Sequence, residues 1–154
     1  MDGTLLRKDK TVSERTKKAI EDARKKGVTV VLATGRPIDG VTKYLEELDM
    51  YGENDYVLSY NGGLVLKTKN REAICKIGLT GEDLHYLYEI SKELGVNIHA
   101  FSETKGLITP KNSKYTEVEA NINNIKINIE DFNKLEKDHS IIKIMMIDEE
   151  EVLQ

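Results

Sequence analysis

Three short clusters in the sequence carry residue types suited to handling phosphate. They are Asp2-Gly3-Thr4 in "MDGTLL", Thr34-Gly35-Arg36 in "VVLATGRP" and Asn61-Gly62-Gly63 in "YVLSYNGG". Thr34 offers a hydroxyl and Gly35 a backbone N–H that no side chain obstructs. Arg36 brings a planar guanidinium that can fork onto phosphate or carboxylate. Asp2 accepts hydrogen bonds when ionised and donates when protonated. Taken singly, each cluster has a plain reading as well: "TGRP" as a strand-to-helix turn, "NGG" as a hairpin turn, Asp2-Gly3 as an ordinary N-terminal turn.

The surrounding pattern decides where these clusters fall. "TVSERTKKAIEDARKKG" predicts a helix: Val12, Thr16, Ala19, Ile20 and Ala23 follow helical spacing, Thr11-x-x-Glu14 resembles a capping box, and Gly27 suits the C′ position. Val28–Ala33 follows without alternation, as in a parallel strand buried on both faces. Pro37 suits a first helical turn, with Val41, Tyr44, Leu45 and Leu48 as the apolar stripe behind it. A helix that begins there would add its orphan N–H groups and positive dipole end to an anion site. Tyr56–Ser59 predicts a second strand, and "LVL" with "AICKI" a hairpin. Consecutive parallel strands joined by helices make an open α/β sheet, in which ligands bind beyond the carboxyl ends of the strands. All three clusters lie at such ends.

Past Gly78 the texture changes. "LTGEDLHYLYEISKELG" predicts a helix with Leu84, Leu87, Tyr88, Ser91 and Leu94 on one face, and "VNIHAFS" alternates as a half-buried strand does. "YTEVEANI" and "EDFNKLEKDH" read as helical, "NIKIN" is ambiguous, and "SIIKIMMID" is a strong strand expected to pair with "VNIHAFS". The fold class is therefore α/β: a partial Rossmann-like parallel core over 1–79, then an α+β unit over 80–154 with a mostly antiparallel sheet. The junction "KIGLTGED" holds two glycines suited to absorbing backbone rotation.

Composition narrows the function. At 154 residues, 39% hydrophobic and 32% charged, the chain fits a globular protein rather than a disordered one. Net charge −4 and the lack of a basic stripe with interleaved aromatics argue against nucleic acid as partner. Arg24-Lys25-Lys26 closes a helix, where cations complement the dipole. No segment reaches the roughly 18 apolar residues of a membrane span and no signal-peptide pattern opens the chain, so the expected compartment is the cytoplasm. Cys75, the single cysteine, excludes an internal disulfide and is expected as a buried apolar thiol. His85, His99 and His139 show no metal-ligand spacing. His99 lies with Phe101 on one strand face, where it would touch substrate if that face met the site, against a plain structural role. The run at 148–151 reads as a solvated helix start.

The order and spacing of the clusters resemble the haloacid dehalogenase (HAD) superfamily, specifically the bacterial Cof-type sugar-phosphate phosphatases, over nearly the whole chain. The resemblance makes 1–79 a partial HAD core and 80–154 a cap domain, mobile over the site and incomplete at its C-terminus. It implies a Mg²⁺-dependent phosphatase that acts on small phosphorylated metabolites, sugar phosphates above all, through an aspartyl-phosphate. The family's first motif, Asp-x-Asp-Gly-Thr, places Met1 at the variable position and Asp2 at the general acid/base. By resemblance the Asp2 backbone carbonyl would ligate Mg²⁺, and the Met1 amide would face phosphate. Thr34 and the Gly35 amide would hold the phosphoryl group, with Arg36 and Asn61 near the substrate. The nucleophilic Asp of the motif, the strand that carries it and the family's later Lys and Gly-Asp-x-x-x-Asp motifs have no counterpart here. The chain looks cut at both ends and is expected to be inert as it stands. Two alternatives remain: a non-catalytic phosphate-binding or interaction module, and phosphosugar mutase chemistry. The sequence does not fix an oligomeric state, although open apolar edges favour association.

Overall fold

A computed structural model of the chain describes residues 1–153. The chain divides into compact units, Met1–Lys76 and Ile77–Gln154.

In the first unit, helix α1 (Glu14–Lys25) is followed by strand β1 (Val31–Ala33), helix α2 (Thr42–Glu47), β2 (Tyr56–Ser59), a 3₁₀ turn (Tyr60–Gly62), β3 (Leu64–Lys67) and β4 (Ala73–Lys76). The sheet order is β1-β2-β3-β4, with β1 and β2 parallel and the remaining pairs antiparallel. The α/β class is as the sequence pattern implies. Leu6, Val12, Leu32, Val41, Tyr44, Leu45, Leu48, Met50, Val57 and Leu66 form the core. The apolar stripe of Val41, Tyr44, Leu45 and Leu48 on and beside α2 thus shares this core with Leu32 of β1, Val57 of β2 and Leu66 of β3.

Local details depart from expectation, each for a physical reason. Ser13, not Thr11, caps α1: its side chain accepts from Thr16 N–H, while the Thr11 amide and hydroxyl both donate to Asp9 Oδ1. An Asx-type turn has captured Thr11 before it could cap. Gly27 does stand at C′ (φ 81°), with Gly27 N–H donating to Arg24 and Val28 N–H to Ala23, as in a Schellman motif. β1 is shorter than expected, and its exposure alternates, Leu32 buried between exposed Val31 and Ala33, because one sheet face is uncovered. Helix α2 starts at Thr42 rather than near Pro37, since residues 37–41 make turn hydrogen bonds instead. Its six residues, five positions past Pro37, supply no helix N-terminus to the "TGRP" loop. Cys75 is exposed, not buried, on the all-exposed edge strand β4.

The second unit contains α3 (Gly81–Leu94), β5 (Asn97–Ser102), β6 (Gly106–Thr109), α4 (Lys114–Asn123), β7 (Ile127–Ile129), a 3₁₀ turn (Phe132–Lys134), β8 (Ile141–Ile147) and α5 (Glu150–Leu153). The sheet order is β7-β6-β5-β8, antiparallel except for β6–β7. "SIIKIMMID" pairs with "VNIHAFS" from Asn97↔Ile147 to Ser102↔Ile141, the pairing expected from their patterns. Thr80 and Asp83 form a capping box on α3, and Gly95 ends it in the left-handed region. The core joins Leu84 of α3 to Ile98, Ala100, Ile108 and Ile141 of the sheet, with Phe132 and Leu135 beneath. Burying Phe132 and Leu135 leaves "EDFNKLEKDH" only one 3₁₀ turn, where a helix was expected. β5 is buried on both faces rather than one, and His99 is fully enclosed, so its side chain is not available to a ligand.

The junction glycines allow close approach. A Cβ on Gly78 would lie 2.9 Å from the Ile141 carbonyl oxygen, and one on Gly81 2.1 Å from that of Glu136. Leu79 meanwhile exchanges both backbone hydrogen bonds with Ile141.

Candidate active site

Residues 1–6 fold into a tight turn at the end of β1. The Met1 carbonyl accepts from the Thr4, Leu5 and Leu6 amides at 3.3, 3.0 and 3.2 Å and from the Thr4 hydroxyl at 3.1 Å. The Met1 nitrogen donates to the Ala33 carbonyl at 3.4 Å, which docks the turn beside β1. Gly3 takes φ 72°, a conformation that favours glycine, and Leu6 enters the core. This construction holds Asp2 at the rim, its side chain 41% exposed.

Across from it, the "TGRP" loop leaves β1 and folds back on itself. Thr34 N–H extends the parallel ladder to the Leu58 carbonyl at 2.9 Å, and Thr34 Oγ1 accepts from Arg36 N–H at 3.2 Å. The Thr34 hydroxyl keeps its own proton to donate. The 3₁₀ turn after β2 clasps this loop: Asn61 N–H donates to Thr34 O and Tyr60 N–H to Arg36 O, both at 3.0 Å. Tyr60 and Asn61 both have left-handed φ, 51° and 59°. Such pairs are strained in non-glycine residues and persist where surrounding bonds impose them. Asn61 sits against Gly35: a Cβ there would fall 2.5 Å from Asn61 Oδ1 and would require that side chain to move.

The strongest link joins Asp2 to Arg36. Arg36 Nε–H donates to Asp2 Oδ2 at 2.9 Å and Nη2–H to Oδ1 at 2.8 Å, a bidentate fork. Arg36 Nη1–H reaches the Gly40 carbonyl at 3.4 Å, and the guanidinium lies 5.7 Å from the centre of the Tyr44 ring. Lys10 Nζ adds a second cation at 2.9 Å from Asp2 Oδ1, and Tyr44 Oη–H donates to the Lys10 carbonyl. The Arg36 hydrogen bonds, with help from Lys10, hold the Asp2 carboxyl well below the usual carboxylate range. The same contact with Asp2 raises the Arg36 guanidinium. Burial and the Asp39 carboxylate push the Tyr60 phenol up to about 12, so it is no base at neutral pH.

The structure thus brings Met1, Asp2, Thr34, Gly35, Arg36 and Asn61 together at the carboxyl ends of β1 and β2. Lys10, Tyr44 and Tyr60 belong to the same network and carry no local sequence signal; the 34-residue separation of Asp2 from Arg36 is closed only by the fold. The large groove of the unit, about 810 Å³, lies elsewhere, lined by α1 and the 47–55 segment. Lys17, Lys18, Arg24 and Lys25 on its wall pair with Glu14, Glu47, Asp22, Asp55 and Glu21, which leaves those cations committed.

A family model described as haloacid dehalogenase-like hydrolase matches residues 1–154. The chain belongs to that family. Among curated relatives of this HAD-like hydrolase is "Putative phosphatase YxeH" of Bacillus subtilis (strain 168), 39% identical over 99% of this chain and 57% of YxeH. "Putative phosphatase M6_Spy0533" of Streptococcus pyogenes serotype M6 is 37% identical, with the same shares covered. The chain spans a little over half the length of these relatives. A haloacid dehalogenase-like hydrolase from Bacteroides thetaiotaomicron superposes with TM-score 0.81 at 26% identity, over 99% of this chain and 57% of that one. The HAD subclass IIB sugar phosphatase BT4131 shares the fold, with TM-score 0.77 at 22% identity over 99% and 58%.

Magnesium needs near-octahedral oxygen ligation and usually one or two protein carboxylates. In this HAD-like chain the Asp2 carboxylate is committed to Arg36 and Lys10. Among the described residues no group of three or more His, Cys, Asp and Glu is placed to hold a metal ion. Beyond the Asp2 backbone carbonyl, which the resemblance would give to the ion, the described residues assemble no carboxylate ligands for magnesium.

Proposed function

We propose that this chain supplies the phosphate-handling loops of a phosphomonoester hydrolase acting on small phosphorylated metabolites, sugar phosphates in particular. The observation that carries this reading is the convergence of Asp2, Thr34, Gly35, Arg36 and Asn61 at the strand ends of an α/β sheet. Family membership, relatives named as phosphatases and the shared fold of a sugar phosphatase support it. Thr34 donates its hydroxyl proton to a phosphoryl oxygen, the clasped backbone of 34–36 shapes the oxyanion site, and Asp2 is the acid/base beside it. Residues 80–154 are the cap. The strand-end residues bind and orient the phosphoryl group. The Asp2 ion pairs, which hold that carboxylate ionised, are the observation that favours a second reading, a non-catalytic phosphate-binding module.

The test is a titration of the isotopically labelled chain with inorganic phosphate, with and without magnesium, followed by NMR. Expected shifts centre on the Thr34 and Gly35 amides, with no dependence on magnesium. Thr34→Val should weaken binding by roughly tenfold or more, the worth of one hydrogen bond to a charged group (about 1.5–3 kcal/mol). Shifts that avoid residues 34–36 altogether would remove the oxyanion site from this loop.

A further inference from the structure

Arg36 has the chemistry to seize a phosphate, and its place in the "TGRP" loop invites that role. Its contacts are otherwise engaged. Each of its three guanidinium nitrogens has a partner inside the protein: Nε and Nη2 on the two Asp2 oxygens, Nη1 on the Gly40 carbonyl. The side chain is 8% exposed, and its backbone is fixed on both sides, N–H to Thr34 Oγ1 and C=O from Tyr60 N–H. The Tyr44 ring beneath the guanidinium is itself almost fully buried. To take a substrate oxygen with its fork, Arg36 would have to give up a bidentate pair in a partly desolvated place. Lys10 differs on every count: 52% exposed, with a single contact to Asp2.

We propose that Arg36 is a positioning residue for Asp2, gripping both carboxylate oxygens in one orientation toward the 34–36 loop, and that it does not bind the substrate directly. Only a guanidinium can do this, because a lysine presents a point charge without the planar fork that matches a carboxylate. The functional meaning rests on the phosphatase reading, in which Asp2 must meet the leaving oxygen from a fixed direction. The grip itself does not depend on that reading. It also explains why Thr34, Arg36 and Asp2 form one unit: the Thr34 hydroxyl orients the Arg36 backbone, and the Arg36 side chain orients Asp2.

The labelled full chain tests this through the Arg36 Nε–Hε signal. In the unmodified protein that proton should exchange with solvent at least about tenfold more slowly than those of exposed Arg7 and Arg15. It should also show a nuclear Overhauser contact to the Asp2 β-protons, a measurement that needs no variant. Lys10→Ala should leave the signal in place, whereas Asp2→Asn should lose the slow exchange. Arg36→Lys should not restore an ordered Asp2 side chain. Saturating inorganic phosphate should leave Arg36 Hε unmoved. The proposal is overturned if the Overhauser contact is absent, or if Arg36 Hε follows the phosphate titration with the same midpoint as the Gly35 amide. If phosphate shifts neither Thr34 nor Gly35, the oxyanion site is lost, yet the Overhauser contact and the Asp2→Asn response still decide the role of Arg36.

Discussion

His99 carries one hydrogen bond, Nδ1 to Thr116 Oγ1 at 3.2 Å, and its Nε2 is buried without a partner. An unpaired acceptor is tolerated better than an unpaired N–H, which favours the tautomer with the proton on Nδ1. The ring meets the edge of Phe101, pairs across the sheet with Met145 and feels the Lys143 ammonium from β8; Thr116 faces it from α4. Burial first, then Lys143, pushes the imidazole down to about 4 from an ordinary 6.5. A depressed folded value means the unfolded chain binds the proton more readily. The stabilising effect of a neutral His99 is therefore complete above about pH 6.5 and is lost as pH falls toward 4. At about 1.4 kcal/mol per unit, roughly 2–3 kcal/mol should disappear by about pH 4.5. Urea unfolding of the chain and of His99→Gln at about pH 7.5 and 4.5 checks this, because carboxylate titrations are common to both. Parallel pH profiles would refute the argument. Sequence alternation placed His99 and Phe101 on one face, but not that α4 covers that face. The same limit hid the Asp2–Arg36 fork. Residue types and strand-end positions make Asp2, Thr34 and Asn61 legible, while their partners depend on contacts across as many as 34 residues.

Elements whose signals are local were readable, and those shaped by a neighbour were not. α3 announces itself through the stripe of Leu84, Leu87, Tyr88, Ser91 and Leu94, and the helix forms there, closed at its start by a Thr80–Asp83 capping box. The "EDFNKLEKDH" segment has helical spacing but too little length to override the demand that Phe132 and Leu135 reach the core. The first turn of α3 shows how firmly the pieces lock. Glu82 N–H donates to the Lys137 carbonyl at 2.9 Å, Lys137 Nζ meets Glu82 Oε1 at 3.0 Å, and Gly81 faces the Glu136 carbonyl oxygen. Gly→Ala inside a helix ordinarily stabilises by about 0.5–1 kcal/mol. At Gly81 the sign should reverse, because the added carbon would sit 2.1 Å from a backbone oxygen that cannot swing away. Gly81→Ala should cost about 1–3 kcal/mol, the range of overpacking. Unfolding midpoints compared with Lys92→Ala, on the solvent side of the same helix, would show it. A gain in stability would mean that the 136–139 segment yields.

At the scale of the molecule, the change of texture near Gly78 corresponds to two separate cores. Leu6 through Leu66 supply one and Leu84 through Ile141 the other. Each has its own sheet, β1-β2-β3-β4 in the first unit and β7-β6-β5-β8 in the second. Stability that is generated within a unit should also be lost within it. Met50 and Leu84 are both fully buried, one in each core, and truncating either to alanine should cost about 2–5 kcal/mol. Native-state hydrogen exchange then distinguishes one cooperative molecule from two. Met50→Ala should lower protection at Leu32 and Val57 while amides of β5 and β8 keep theirs, and Leu84→Ala should do the reverse. A fall of equal size in both units from either substitution would show that the cores unfold together. In that case the pH-dependent loss at His99 would also loosen the Asp2–Arg36 site, whereas with independent units phosphate binding at Thr34 should persist after β5 has begun to open.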